Sequence, residues 1–399
     1  MCSICGGTKW DAISTYIWEK SKDRGRDDHG REELAGAWIG NHRATPTTEV
    51  SHPIEKQPVG ENPLIVFNGI ISNDADLQIN EGEADTSVLP RVLDFSSLEK
   101  FRNSIQNKLV GSYAIAVLFA NGEIWLAANY KPIWIARDKN EFYFSSLASH
   151  FPPQMKPYRV RPYSVQSLTN PLIHFPIERT QSKKALVVCS AGLDSVTVAS
   201  YICFTNGPEN TTLLHFDYGC RATGREIEQI KKISQWLQCG LEIIKMPSFG
   251  GSSLLDSTAD IAEGKTGAEY AHEWVPARNL LMLSHAVAFA EAKGYGHIYL
   301  GTNLEEAGAY PDNEEQFIID FNDLLYGAVQ NGIKINVEAP LGGLMKHEII
   351  PFGMKYHTPY HLTWSCYRNG EKHCGKCGPC FMRKTAFERN GLKDPVEYE

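Results

Sequence analysis

The sequence predicts a two-domain chain of mixed class: an α+β N-terminal half built on an antiparallel sandwich and an α/β C-terminal half built on a parallel sheet. Three observations carry this. The 399 residues exceed what one domain usually holds. Strand-like runs follow one another directly in the first 150 or so residues, but alternate with helical runs from Ala185 onward. Between them Pro152, Pro153, Pro157, Pro162, Pro171 and Pro176 interrupt both patterns, at a density neither helix nor sheet interior tolerates. The expected divisions are 1–157, a Pro-rich linker over 158–183, and 184–399.

In the first half, Leu64–Phe67, Tyr113–Phe119, Glu123–Ala127 and Glu141–Phe144 are rich in β-branched and aromatic residues, with turn signals such as Asn121-Gly122 between them. In the second half Ala185–Cys189 reads as a strand, Val196–Phe204 as a helix and Leu213–Phe216 as a strand. Arg225–Leu237 then reads as an amphipathic helix with Ile227, Ile230, Ile233 and Leu237 on one face, and Leu241–Met246 as a further strand.

Charge narrows the function. Lys and Arg number 39 against 47 Asp and Glu, a net charge of −8, so a broad nucleic-acid footprint is not expected. No apolar run approaches the ~20 residues a bilayer crossing needs, and Met1–Cys5 has neither basic nor apolar leader character. A soluble, cytoplasmic protein is expected, with no membrane partner. Four of ten cysteines, Cys366, Cys374, Cys377 and Cys380, lie close together, which in a reducing compartment favours metal-bound thiolates over disulfides.

The stretch Ala185-Leu-Val-Val-Cys-Ser190-Ala-Gly192-Leu-Asp194-Ser195 is a buried strand running into small residues that open a helix, where backbone amides bind anions. It lacks the Gly-Lys-Ser/Thr of a Walker A loop. It resembles the SGGxDS loop of the N-type ATP-pyrophosphatase (PP-loop) superfamily, with Ala191 where the first glycine usually stands. Asp217-Tyr218-Gly219, Val275-Pro276-Ala277-Arg278-Asn279 and Gly301–Asp312, which ends Gly308-Ala309-Tyr310-Pro311-Asp312, extend the likeness to the 7-cyano-7-deazaguanine synthase (QueC) family over 185–390. Cys220 and the segment Asn303–Ala309 depart from it. The resemblance implies ATP with Mg²⁺ at Ser190, Gly192, Asp194, Ser195 and Lys346, and a deazaguanine substrate at Arg278, Asn279, Glu305, Tyr310 and Asp312.

Cys374-Gly-Lys-Cys377-Gly-Pro-Cys380 with Cys366 upstream supplies four soft thiolates, enough to close a tetrahedral zinc shell with no position left for water. A closed shell is structural. The HExxH metalloprotease pattern is absent at His272-Glu273 and at His347-Glu348.

Removal of Met1 would leave Cys2 with a thiol and an α-amine on one residue, joining nucleophile and base. Gly40-Asn-His42-Arg43-Ala-Thr45-Pro with Glu49-Val-Ser-His52-Pro53, then Phe67-Asn68-Gly69-Ile70, Ala84-Asp85-Thr86 and Leu109–Val117, resemble in order the motifs of class II (Ntn-type) glutamine amidotransferases. That resemblance implies Cys2 as nucleophile, Arg43 on the glutamine carboxylate, Asp85 on its ammonium, and Asn68 and Gly69 as oxyanion donors. Ser3 and Ile70 depart from the commonest pattern.

Together the halves imply an ATP-dependent C–N ligase that adenylates a 7-carboxy-7-deazaguanine-type substrate and joins it to ammonia from glutamine. The acceptor is left open between the free base, a base within tRNA or DNA (the archaeosine-type outcome), and a protein amine, as in defence-system relatives. Asparagine synthesis, another pairing of these two activities, is the competitor that the zinc cysteines and Val-Pro-Ala-Arg-Asn argue against. A homodimer is allowed by the sequence but not specified.

Overall fold

The computed structural model describes every residue except 1, 45–55, 78–84, 248–249, 262, 265–272 and 308–309, and every described side chain but those of Asp74, Ala75 and Asp85. Thr45, the Glu49–Pro53 stretch, Ala84, His272 and Gly308-Ala309 therefore lie outside the described residues, as does the Asp85 side chain. The chain forms two compact units, 1–179 and 180–399.

The first unit runs β1 (Ser3–Gly7), α1 (Ala12–Ser21), β2 (Asp28–Leu34), β3 (Ala37–Arg43), β4 (Leu64–Ile71), α2 (Leu89–Val92), α3 (Leu98–Lys108), β5 (Gly111–Leu118), β6 (Ile124–Ala128), β7 (Trp134–Asp138), β8 (Glu141–Ser145), β9 (Tyr158–Arg159), β10 (Ser164–Ser167) and β11 (His174–Pro176). The strands make two antiparallel sheets, β2-β3-β1-β8-β7-β9 and β11-β10-β6-β5-β4. One buried cluster joins Ile4, Ile39, Ile135 and Phe144 of the first sheet to Leu64, Val66, Ala116, Leu118 and Leu126 of the second, so the sheets pack face to face. Asp11 and Ser97 start α1 and α3, their side chains accepting from the amides of Ser14 and Lys100.

The segment expected as a linker over 158–183 is instead strand-bearing. β9 pairs with β7, while β10 lies between β6 and β11. Its prolines do not prevent this because they fall outside the ladder interiors: Pro162 precedes β10, Pro171 sits in the turn and Pro176 ends β11.

The second unit runs β12 (Ala185–Val188), α4 (Leu193–Asn206), β13 (Thr211–Asp217), α5 (Thr223–Leu237), β14 (Gly240–Lys245), α6 (Arg278–Lys293), β15 (His297–Tyr299), α7 (Leu304–Ala307), α8 (Glu315–Ala328), β16 (Asn336–Glu338), α9 (Lys346–Lys355) and α10 (Gly378–Arg389). Its sheet is parallel throughout, in the order β14-β13-β12-β15-β16. Alternate strand residues serve opposite faces: Leu186, Leu214 and Phe216 meet Leu283 and Ala286 of α6 and Phe321 of α8, whereas Ala185, Val187 and Leu213 meet Val196 of α4, Ile230 and Ile233 of α5 and Ile349 of α9. Each such buried Ile contributes about 1.5–3 kcal/mol.

Successive strands step from β12 to β14 on one side, then the chain returns to lay β15 against the other side of β12. Neighbouring crossovers there leave in opposite directions, which opens a crevice beyond the carboxyl ends of β12 and β15. Among the described residues no helix is long and apolar enough to cross a membrane.

Candidate functional site

At that crevice the loop after β12 turns through Ala191 at φ 66°, a left-handed conformation that costs a residue with a Cβ about 1–2 kcal/mol. Ser195 braces the turn: its Oγ accepts from the Ser190 amide at 3.3 Å and donates to the Gly192 carbonyl at 3.2 Å. Gly192 caps α4 with extended backbone and no side chain bonds the helix's first amides, so an anion is free to take them. Gly301, just past β15, is required by proximity, since a Cβ there would lie 2.7 Å from the Ser195 backbone.

Lys346, the first residue of α9, reaches back to Asp194 in an ion pair and lies 3.5 Å from Glu306. Burial works against its charge, but Asp194 and Glu306 together hold it above the ordinary lysine range. Burial lifts Asp194 to about 6, with Lys346 offsetting only part of the rise. Asp194 Oδ1, Thr302 Oγ1 and Asn303 Nδ2 are buried without a hydrogen-bond partner, an arrangement that a bound polar ligand would repair.

Ser190, Gly192, Asp194, Ser195, Thr302, Glu306 and Lys346 line a cavity of about 210 Å³ together with Tyr218, Cys220, Glu226, Arg278 and Trp364. A second cavity of about 90 Å³ shares Arg278, Glu306, Asn313, Lys346 and Tyr367 with it and adds Glu273, Trp274, Glu305, Tyr310 and Asp312. Trp274 and Tyr310 stack at 5.9 Å and 12°, giving the second cavity an aromatic wall.

The expected substrate residues thus gather in one place, but Asn279, Asp312 and Glu305 are already engaged with one another or with the framework. The Asn279 side chain donates to Asn313 Oδ1 at 2.8 Å and its amide to Asp312 Oδ2 at 3.3 Å, tying α6 to the turn after Tyr310. Glu305 Oε1 accepts the Lys346 amide at 3.1 Å and so caps α9. Arg278 faces both cavities; burial opposes its charge, while Tyr218, Tyr367 and Asp312 sustain it.

Glu226, Glu273, Trp274, Thr302 and Trp364 escaped the sequence reading. Glu226 carried a misleading signal, since Thr223-Gly-Arg-Glu226 has the spacing of a capping box. In the structure Ala222 is the N-cap and has no capping side chain, Asn369 Oδ1 accepts from the Arg225 amide at 3.2 Å in its place, and Glu226 turns into the cavity.

The Sγ atoms of Cys366, Cys374, Cys377 and Cys380 lie within 4.8 Å of one another, all buried. Backbone amides of Arg368 and Cys374 donate to Cys366 Sγ, and that of Cys377 to Cys374 Sγ, each at 3.4 Å, which favours thiolates. The donor set fits a metal ion or iron–sulfur centre. Arg383 is not a surface cation: fully buried, it forks onto Asp394 at 2.8 and 2.9 Å, so it adds nothing to a nucleic-acid-binding surface.

In the first unit, the register Ser3↔His42 sets Cys2 beside Arg43, and the Cys2 thiol donates to the Ala44 carbonyl at 3.9 Å. Asn68 is buried on β4 with Nδ2 unpartnered, next to Phe67, whose carbonyl accepts from Asn41 of β3 at 3.2 Å. Gly69 has a packing reason as well, since a Cβ there would lie 1.9 Å from the Ser112 carbonyl. Arg24, unread in the sequence, is half-buried, and burial holds its guanidinium below the ordinary arginine range.

Comparison with known proteins follows the same division. A family model described as queuosine biosynthesis protein QueC matches residues 184–391. Similar chains include the 7-cyano-7-deazaguanine synthase 2 of Sulfurisphaera tokodaii, 41% identical over 462 residues and spanning 100% of both chains. The 7-cyano-7-deazaguanine synthase of Sulfolobus acidocaldarius is 43% identical, spanning 96% of this chain and 89% of its own. That of Oceanobacillus iheyensis is 37% identical across 54% of this chain and 98% of its own. A parallel sheet whose first turn leaves a helix N-terminus open to an anion, a buried lysine beside it and this extent of identity have one explanation: the chain belongs to the QueC family.

Proposed function

We propose that this chain is an ATP-dependent enzyme that adenylates 7-carboxy-7-deazaguanine and joins the activated carboxyl to nitrogen on the way to 7-cyano-7-deazaguanine, with ammonia drawn from glutamine by its first unit. The observation that carries the proposal is the uncapped start of α4 facing the buried Lys346, beside an aromatic-walled cavity. Ser190, Gly192, Asp194 and Ser195 frame the pyrophosphate end of ATP; Lys346 neutralises its charge. Mg²⁺ travels with the nucleotide, and the unpartnered Asp194 Oδ1 suits a hard cation. Arg278 takes the substrate carboxylate, with Tyr310 and Asp312 beside the ring and Asn279 and Glu305 positioning the turns that hold them.

Zinc is the metal we assign to the four cysteines. Four thiolates at Zn–S ~2.3 Å sit ~3.8 Å apart in a tetrahedron, which the observed cluster approaches, whereas a cubane would hold them wider. In the first unit Cys2 acts as nucleophile, Arg43 and Asp85 hold glutamine, and Asn68 with Gly69 receives the oxyanion; the unpartnered Asn68 Nδ2 supports this. Relatives that span the whole chain support joint action of the two units.

Mass spectrometry of the product made from ATP, 7-carboxy-7-deazaguanine and either glutamine or ammonia tests this reading. Cys2→Ala should abolish the glutamine reaction and spare the ammonia reaction. Unchanged glutamine use by Cys2→Ala would remove the amidotransferase role.

A further inference from the structure

We propose that Glu226 is the proton acceptor when nitrogen adds to the activated carboxyl group, an inference that rests on the reading above. Three carboxylates line the larger cavity among the described residues, and two of them, Asp194 and Glu306, are tied to Lys346. Glu226 is the one not bound to a lysine or a backbone amide. Its Oε2 accepts from the Cys220 thiol at 3.6 Å. It stands in the first turn of α5 and lines the same cavity as Ser190 and Asp194, into which the acyl end of an adenylate seated on α4 would project.

The titratable groups facing it come from four places: Cys189 just past β12, Asp217 at the end of β13, Tyr218 and Cys220 from the loop before α5, and Arg278 at the start of α6. Burial lifts Glu226 to about 7; Cys220 and Arg278 lower it and Asp217 raises it. A base with that affinity is ionised in a large share of molecules at neutral pH and still takes a proton readily. Cys220 cannot substitute for it, because burial pushes that thiol up to about 12.

In the step itself the nitrogen of ammonia bonds to the carbonyl carbon and the carbon–oxygen bond to AMP breaks. AMP leaves as its phosphate anion. The surplus proton on nitrogen passes to the Glu226 carboxylate, leaving an amide and a neutral glutamic acid that returns the proton to water. No other co-reactant is needed.

The test separates the two half-reactions. With 7-carboxy-7-deazaguanine, Mg-ATP and ammonia, Glu226→Gln should cut single-turnover amide formation by about 100-fold, while substrate-dependent exchange of labelled pyrophosphate into ATP falls far less. Glu226→Asp should recover part of the amide rate. Plotted against free ammonia, the wild-type amide rate should rise with pH through an inflection near 7 that exchange lacks, a measurement that does not depend on a variant folding. Equal losses in both half-reactions, or an inflection shared by both, would make Glu226 a nucleotide-site residue and overturn the proposal; so would an unchanged amide rate. Absence of exchange in the wild-type enzyme would instead remove the substrate reading, and this proposal with it.

Discussion

Lys346 and Asp194, 152 residues apart in sequence, form an ion pair with side chains only 9% and 13% exposed. The pair ties the start of α9 to the first turn of α4. Removing one partner of such a pair leaves an uncompensated buried charge, which costs about 3–5 kcal/mol. Lys346→Met should therefore lower unfolding free energy in urea by about that amount at pH 8 and abolish pyrophosphate release. The cost should shrink at pH 5, where Asp194, already lifted to about 6, takes up a proton. The double variant Lys346→Met/Asp194→Asn should regain most of the stability and none of the activity.

Ala191 holds φ 66° while fully buried. Glycine adopts that backbone without the Cβ clash, so Ala191→Gly should leave activity intact and change stability by no more than about 1 kcal/mol, in the stabilising direction. A β-branched side chain meets both the backbone strain and the packed surroundings, and Ala191→Val should cost more than about 2 kcal/mol. Thermal unfolding of the two variants decides the matter; equal effects would mean the turn is not strained.

Glu226 gives stability a pH dependence whose sign is fixed. Its native affinity is raised from 4.5 to about 7, so between those values the folded chain keeps a proton that the unfolded chain has lost. Its contribution to stability is greatest below about pH 4.5, declines as pH rises towards 7, and is gone above. Glu226→Gln should flatten that decline, unfolding at a higher temperature than the wild type at pH 8 but not at pH 4.5. A difference that is the same at both pH values would contradict the assignment.

The four cysteines should hold one zinc ion per chain. A closed thiolate shell contributes folding free energy directly, so Cys374→Ser or a strong chelator should remove the metal and lower the unfolding temperature. Elemental analysis reporting iron and sulfide in place of zinc would reassign the centre.

Much of the second unit was legible because its chemistry is local in sequence. Ser190–Ser195 lie on one turn, the cysteines on one short stretch, and the run Ile227, Ile230, Ile233, Leu237 declares its buried face by period alone. What could not be read was the role of groups brought in from a distance. Glu226 has the spacing of a helix cap, and the sequence gives no sign that Arg383 is buried against Asp394. Asn279 and Glu305 line the cavities, yet their hydrogen bonds are spent on Asp312, Asn313 and the start of α9. In the first unit β2, Asp28-His-Gly-Arg-Glu-Glu-Leu34, is polar on both faces and gave no strand signal. The strands β9, β10 and β11 were hidden by prolines that sit at their ends.

Activation of a deazaguanine acid with ATP in the crevice beyond β12 and β15 is measured most directly by pyrophosphate release. Wild-type protein with Mg-ATP should release pyrophosphate when 7-carboxy-7-deazaguanine is added, and not when aspartate is added, and the signal should disappear in Lys346→Met. Release with aspartate and none with the deazaguanine acid would contradict the account.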